Sequence, residues 1–344
     1  ASFRLYLIAS VLQFAIFDSW NFPFFLTVII TLSLIWIYTY RSGIKTIIWT
    51  DTLQTTFMLA TVLIIAISVS RSLGLNFSEV IETIQNSSYS KVFFFDDFGD
   101  QKYFLKQFLS GVFMAIVMTG LDQDQMQKNL SCKNLVEAKK NMFVFSTILI
   151  VVDLLFLSLG ALLYIYSSEI GLAVPSDADM LFPNIALNSG LPEYVGILFI
   201  IGIIAAAYSS ADSALTSLTT SFCVDIIDFK RYSSEKQIFI RKYSHLLLSL
   251  VLLGVILLFR SINDQSVIKS LFTVAGYTYG PLLGLYSFGM FTKINIRDKL
   301  VPLICIISPV ICYFIKMKFS SIGFELLIIN GLITFLLLLI CRKN

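Results

Sequence analysis

The sequence predicts an all-α protein that crosses a membrane about ten times, and three observations lead there. Hydrophobic residues make up 57% of the 344-residue chain and charged residues only 14%, against about 25% charged in a soluble domain. Mean hydropathy is +0.82. Apolar runs of about 20 residues recur along the chain, the length that crosses about 30 Å of hydrocarbon at about 1.5 Å per residue.

Taken in order, the runs predict membrane segments at 3–17, 23–40, 45–70, 104–122, 141–167, 194–224, 243–260, 267–291, 299–316 and 322–341. The loops between them alternate in basic content. Sixteen Lys/Arg fall on one side, among them Lys128, Lys139, Lys140, Lys236 and Arg241, and nine fall on the other side or at its helix ends. The segment 168–193 holds several acids and neither Lys nor Arg. The positive-inside rule then places 41–45, 123–140, 225–242, 293–299 and the C-terminus in the cytoplasm of a plasma (inner) membrane. Helix 45–70 runs outward and 194–224 runs inward. In the long outside loop 71–103, Leu75, Val80, Ile81 and Ile84 have helical spacing and predict a short helix lying over the outer face. The chain enters an apolar run almost at once, without initiator Met or a basic leader, and reads as a piece of a longer one.

Several function classes drop out. A net charge of +3 with no basic block offers no platform for nucleic acid. Cys132, Cys223, Cys305, Cys312 and Cys341 are scattered, without CxxC spacing, so they frame neither disulfides nor zinc. His245 is the sole histidine, which leaves no His/Asp/Glu metal cluster for a membrane enzyme. No organic cofactor motif is present.

One segment is too polar for a simple span. "AAAYSSADSALTSLTTSF" (205–222) carries eight Ser or Thr hydroxyls between Ser209 and Ser221, together with Asp212. On a helical wheel Ala206, Ser209, Ser210, Asp212 and Ser213 share an arc of about 160°. Hydroxyl oxygens, a carboxylate and a small residue on one face suit a desolvated hard cation, with carbonyls of an unwound neighbour completing the shell. A packing seam, in which each hydroxyl bonds back one turn, accounts for Thr216 to Ser221 but not for Asp212. Asp51 lies about 9 Å into helix 45–70, at a depth that permits contact with Asp212. Asp153 is a third acid, near mid-membrane, either structural or solute-facing. Asp18 and Asp122 sit at helix ends, where solvation suffices.

"GIKTIIWTDTLQTTFML", "GLDQDQMQKNLSCKNLVEAKKNM", "LFPNIALNSGLPEYVGILFIIGIIAAAYSSADSALTSLTTSFCVDII" and "YGPLLGLYSFGMFTK" follow one another in order. Together they resemble the sodium:solute symporter family, whose members carry sugars, proline, sialate and pantothenate, and the resemblance covers essentially the whole chain. It implies an inverted five-helix-repeat transporter fold lacking the first two core helices. The implied segmentation is 1–70 as the rest of the first repeat and 71–103 as an extracellular loop with its short helix. The second repeat would be 104–292, and 293–344 would hold flanking helices.

The resemblance also implies sodium ligands at the Ala206 carbonyl and the Ser209 and Ser210 hydroxyls. A second cation site would use Asp51, Ser209 and Ser213, with Asp212 where other members have Ser; that departure would raise cation affinity or replace a sodium with a proton. Thr119, Thr273, Gly276 and Tyr277 fall at solute-contact positions, and Met118 and Thr119 stand where sugar carriers have an aromatic gate, which argues against a sugar bound in that mode. The expected activity is therefore sodium-coupled symport of a small organic solute by alternating access across the lipid bilayer, with Na+ as coupling ion. The rival is a transporter-like membrane sensor or regulator without transport; such a protein would add a cytoplasmic kinase-like domain, and the sequence ends at "CRKN" soon after the last helix.

Overall fold

The computed structural model describes residues 2–39, 44–262, 267–319 and 321–343; the side chains at 4, 38–39, 44–48, 50, 124, 207–212, 262 and 268 lie outside that description. In chain order the α-helices are α1 (Ser2–Leu12), α2 (Phe24–Thr39), α3 (Ile44–Ser72), α4 (Phe77–Asn86), α5 (Phe104–Ala115), α6 (Gln123–Leu130), α7 (Leu135–Glu169), α8 (Leu181–Asn188), α9 (Glu193–Ser221), α10 (Ser234–Ile262), α11 (Val267–Phe291), α12 (Val301–Lys318) and α13 (Leu326–Ile340). Each of the ten predicted spans carries one of these helices. Among the described residues, four stretches are long and apolar enough to cross a membrane: Asp51–Ser72, Leu135–Glu169, Ser234–Ser261 and Asp298–Lys318. Shorter apolar helices lie at Leu5–Trp20, Phe24–Ile37, Phe104–Gly120, Glu193–Ala206 and Leu326–Ile340. Wider turns extend three helices, at Gln13–Phe17, Ile116–Gly120 and Phe222–Ile226; such π-helical turns recur at functional sites.

α4 is the short helix expected in the 71–103 loop. A capping box starts it: Asn76 Oδ1 accepts from the Ser78 and Glu79 amides at 3.0 and 3.1 Å, and Glu79 Oε2 accepts from the Asn76 amide at 2.7 Å. Val80 and Ile84 then pack on the protein core, which fixes the face that α4 presents. α6 and α8 fall in segments that the hydropathy pattern assigns to loops. They are eight residues each and too short to register as spans.

Residues group into two compact units, Ala1–Ser90 with Gln127–Val267, and Lys91–Met126 with Ile268–Asn344. In the first unit one core joins α3, α7, α8 and α9 through Ile65, Val69, Leu162, Ile185 and Val195. A second core joins α1, α2, α9 and α10 through Leu5, Val28, Leu215 and Ile256. The α1–α2 turn is tied by Gln13, whose amide donates to Asp18 Oδ1 at 2.7 Å and to the Phe22 carbonyl at 2.6 Å, while Thr27 donates to its Oε1. Asp18 is thus a hydrogen-bonded turn residue as well as a solvated one.

In the second unit Met114 and Val117 meet Ala275, Leu283 and Leu327. A smaller cluster of Phe288, Ile304 and Leu338 binds α11, α12 and α13 at their other end. There the chain after α13 pairs back on the loop after α11, with the Lys343 amide donating to the Asn295 carbonyl at 2.9 Å.

Candidate cation and solute site

The polar helix α9 and the helix that carries Asp51, α3, lie antiparallel in the first unit. Ser68 and Tyr194 hydroxyls meet at 3.0 Å near one end. Midway, Gly202 faces Thr61 so closely that a Cβ at 202 would sit 2.9 Å from Thr61 Cγ2. Near the other end, Ser213 Oγ donates to Asp51 Oδ2 at 3.4 Å. Nearly equal steps along the two helices separate these three contacts, as a continuous antiparallel seam requires. Small residues let the backbones approach, which is how polar side chains on two spans come within reach of each other.

The structure adds a third member that sequence reasoning missed. Lys128 Nζ lies 2.7 Å from Asp51 Oδ2 and 3.3 Å from Ser213 Oγ, closing a triangle of ammonium, carboxylate and hydroxyl. Ser213 is buried, and the Asp51 and Lys128 side chains are only 17% and 26% exposed. A counter-charge offsets part of the cost of shielding a carboxylate from water. Lys128 is delivered by α6, which is pinned to the start of α7. Asn129 Nδ2 reaches Met142 Sδ at 2.9 Å, Asn141 donates to Asn129 Oδ1 at 2.9 Å, and Asn134 caps α7 by accepting from the Glu137 amide at 2.9 Å. The available signal was a demand rather than a motif: an acid inside an apolar helix calls for a nearby base, and several loop lysines qualified.

Ser209, Ser210 and Asp212 lie on α9, and their side chains are outside the described residues. Ala206 is described. With Gly202 one turn earlier, it borders an open cavity of about 350 Å³ lined by residues of α1, α3, α7, α8 and α9. The lining is almost entirely apolar, and its charged group is Asp179. Asp179 Oδ2 accepts from the Val267 amide, the first of α11, at 2.7 Å. Burial pushes the Asp179 carboxyl above its ordinary value and Asp177 adds to the rise, while the Val267 hydrogen bond opposes both. Asp153 lies on the exposed part of α7, between Ile150 and Leu157, which are exposed as well. His245, on α10, meets the Thr219 hydroxyl at 3.2 Å.

The other solute-contact candidates lie in the second unit. Thr119 is half-buried in the π-helical turn that follows α5, and its neighbours Val117 and Met118 pack in one cluster with Ala275 and Phe272 of α11. That cluster brings the Thr119 turn and the Thr273 turn together. Thr273 Oγ1 donates back to the Lys269 carbonyl at 2.8 Å. Gly276 packs on Leu326 and Leu327, and the Tyr277 ring lies 5.8 Å from Lys316 Nζ. Among the described residues no group of three or more His, Cys, Asp or Glu could hold a metal ion.

Comparison with known proteins identifies the family. A model of the sodium:solute symporter family matches residues 3–298. The sodium-dependent multivitamin transporter of Oryctolagus cuniculus is 27% identical over 283 residues, covering 80% of this chain and 43% of that protein. The sodium/sialic acid symporter SiaT of Proteus mirabilis is 24% identical over 326 residues, covering 91% of this chain and 65% of its own length. The chain thus spans roughly half the length of the curated relatives it matches. In fold it is similar to a solved Na+-coupled sialic acid symporter in a substrate-bound, outward-open state, with TM-score 0.75 and 19% identity over 99% of this chain and 74% of that one. With a match across most of its length, the chain belongs to the sodium:solute symporter family.

Proposed function

We propose that the chain takes part in sodium-coupled symport of a small organic solute across the plasma membrane, by alternating access and with its C-terminus in the cytoplasm. One observation carries this reading: the partly buried triangle that Lys128 of α6 makes with Asp51 and Ser213, on the α3–α9 pair whose second helix bears the Ser209/Ser210 motif. A cation-coupled transporter needs oxygen ligands that can exchange one cation for another, and a shielded carboxylate on a membrane helix points by default to function.

In this reading the Ala206 carbonyl and the Ser209 and Ser210 hydroxyls ligate the coupling sodium. Asp51, Asp212 and Ser213 form a second cation site. The Lys128 ammonium is then a tethered cation that holds the second site's place and yields it when an ion arrives. Thr119, Thr273 and Tyr277 present side chains to the solute, and Gly276 lets the backbone of α11 approach closely. Sodium binding favours one of two access states, so an inward sodium gradient drives the solute with it. No covalent step is required.

The decisive experiment reconstitutes the full-length gene product in liposomes and follows uptake of a panel that begins with sialic acid and water-soluble vitamins. Uptake should need an inward sodium gradient and collapse when potassium replaces sodium. Uptake equally fast in both salts would refute sodium coupling.

A further inference from the structure

α11 contains Pro281 within its helical span. Proline has no N–H, so the carbonyl one turn earlier, that of Tyr277, loses its helical donor, and the ring also pushes that carbonyl aside. A buried carbonyl left in this state is costly. The deficit is met from another helix. Asn330 of α13, 0% exposed, donates through Nδ2 to the Tyr277 carbonyl at 2.9 Å and to the Gly276 carbonyl at 3.0 Å.

The rest of the local structure is arranged around that amide. The reverse orientation would set Oδ1 against two carbonyl oxygens, so the donors must face α11. The arrangement leaves Asn330 Oδ1 buried and without a partner. An apolar residue would have no such orphan, and the two donors are therefore what the position supplies. The approach is close: a Cβ on Gly280 would overlap Asn330, and one on Gly284 would lie 2.6 Å from the Gly331 carbonyl. Gly276, Gly280 and Gly284 follow one another at four-residue spacing, the pattern that lets two spans pack backbone to backbone. Thr334, one turn after Asn330, lies 2.7 Å from Ser308 Oγ of α12 and extends the polar contact to the next helix.

We propose that Asn330 is a positioning residue: its amide replaces the hydrogen bond that Pro281 removes and so fixes the Gly276–Tyr277 turn of α11. The flanking helix α13 thereby sets the geometry of a turn that, on the symport reading above, faces the solute; only this last clause rests on that reading. The device makes a specific demand. Asn330 matters because residue 281 is a proline, and it should cease to matter when it is not.

The test is a double-mutant cycle in the full-length gene product, read by hydrogen exchange of the α11 amides. Asn330→Leu, which keeps the number and branching of the side-chain heavy atoms, should speed exchange through 277–285 roughly tenfold, the scale of a hydrogen bond left unmade. Pro281→Ala restores the helical donor to Tyr277, and on that background Asn330→Leu should change exchange by less than about twofold. Asn330→Ala serves as the second variant, should Leu prove too large. Equal acceleration by Asn330→Leu with Pro281 in place and after Pro281→Ala would overturn the proposal. In liposomes, with sialic acid as the probe, Asn330→Leu should raise half-saturation for the probe and leave that for sodium unchanged, and Pro281→Ala should suppress the effect. A parallel shift in both constants would reduce Asn330 to a general structural role. Absence of sodium-driven uptake by the unmodified protein would count against the symport reading, and the exchange cycle would still decide the role of Asn330.

Discussion

Replacing Lys128 by glutamine tests whether its ammonium stands in for a cation. At 2.7 Å the Lys128–Asp51 attraction is about 6 kcal/mol for an effective dielectric of about 20, and desolvation cancels much of it. Both side chains are less than about a third exposed, so solvent screening removes only part of the remainder. Lys128→Gln should therefore cost about 2–3 kcal/mol, mostly by taking the ammonium away from the shielded Asp51 carboxylate. If the site accepts sodium once the ammonium is gone, sodium should restore part of that loss. At a concentration about ten times the dissociation constant the recovery is about 1.4 kcal/mol. The assay is thermal unfolding of the purified full-length gene product in sodium against potassium chloride at equal ionic strength. The variant should show a larger sodium-dependent rise than the unmodified protein. The double variant Asp51→Asn/Lys128→Gln, which removes both charges, should regain stability and lose the extra sodium response. If Lys128→Gln is destabilised but no more sensitive to sodium than the unmodified protein, the pair only braces α3 against α6, and the tethered-cation argument fails.

Four further outcomes are expected. Ser210→Ala should weaken sodium activation of uptake roughly tenfold, by deleting one ligand worth about 1–2 kcal/mol, and unchanged activation would remove Ser210 from the sodium shell. Gly284→Ala should destabilise the α11–α13 packing by about 1–3 kcal/mol, because its methyl would meet Thr334 Cβ at 2.5 Å and the Gly331 carbonyl at 2.6 Å; a neutral melting temperature would show that the two helices separate easily. The Asp179 carboxyl is raised by burial, so the folded state binds more protons than the unfolded one, and stability should fall as pH climbs from about 4 through the raised value. Asp179→Asn keeps an oxygen for the Val267 amide and should flatten that fall, whereas an unaltered pH profile would assign the titration to another group. Single cysteines replacing Lys139 or Lys236 in a Cys-free background should react only from the cytoplasm and one replacing Asp177 only from outside, and an impermeant reagent that labels Lys139→Cys on intact cells would overturn the orientation.

The sequence by itself determined where the apolar helices lie and in what order, because an apolar run is legible in any local window of the chain. The α4 cap was equally local, a contact among Asn76, Ser78 and Glu79, and hydroxyls, one carboxylate and a small residue sharing one face of α9 follow from helical periodicity alone. The short helices α6 and α8 escaped, since eight residues leave too little periodicity to read. What only tertiary structure decided was pairing. Lys128 is 77 positions from Asp51 and 85 from Ser213, and nothing in the residues between them says which of the many loop lysines folds onto that carboxylate. Asn330 likewise lies 53 positions from the Tyr277 carbonyl it satisfies. The proline that orphans the carbonyl is visible in the sequence, but the donor that answers it is chosen by which helix packs against α11. A local pattern states what each helix needs; long-range packing alone determines which side chain supplies it.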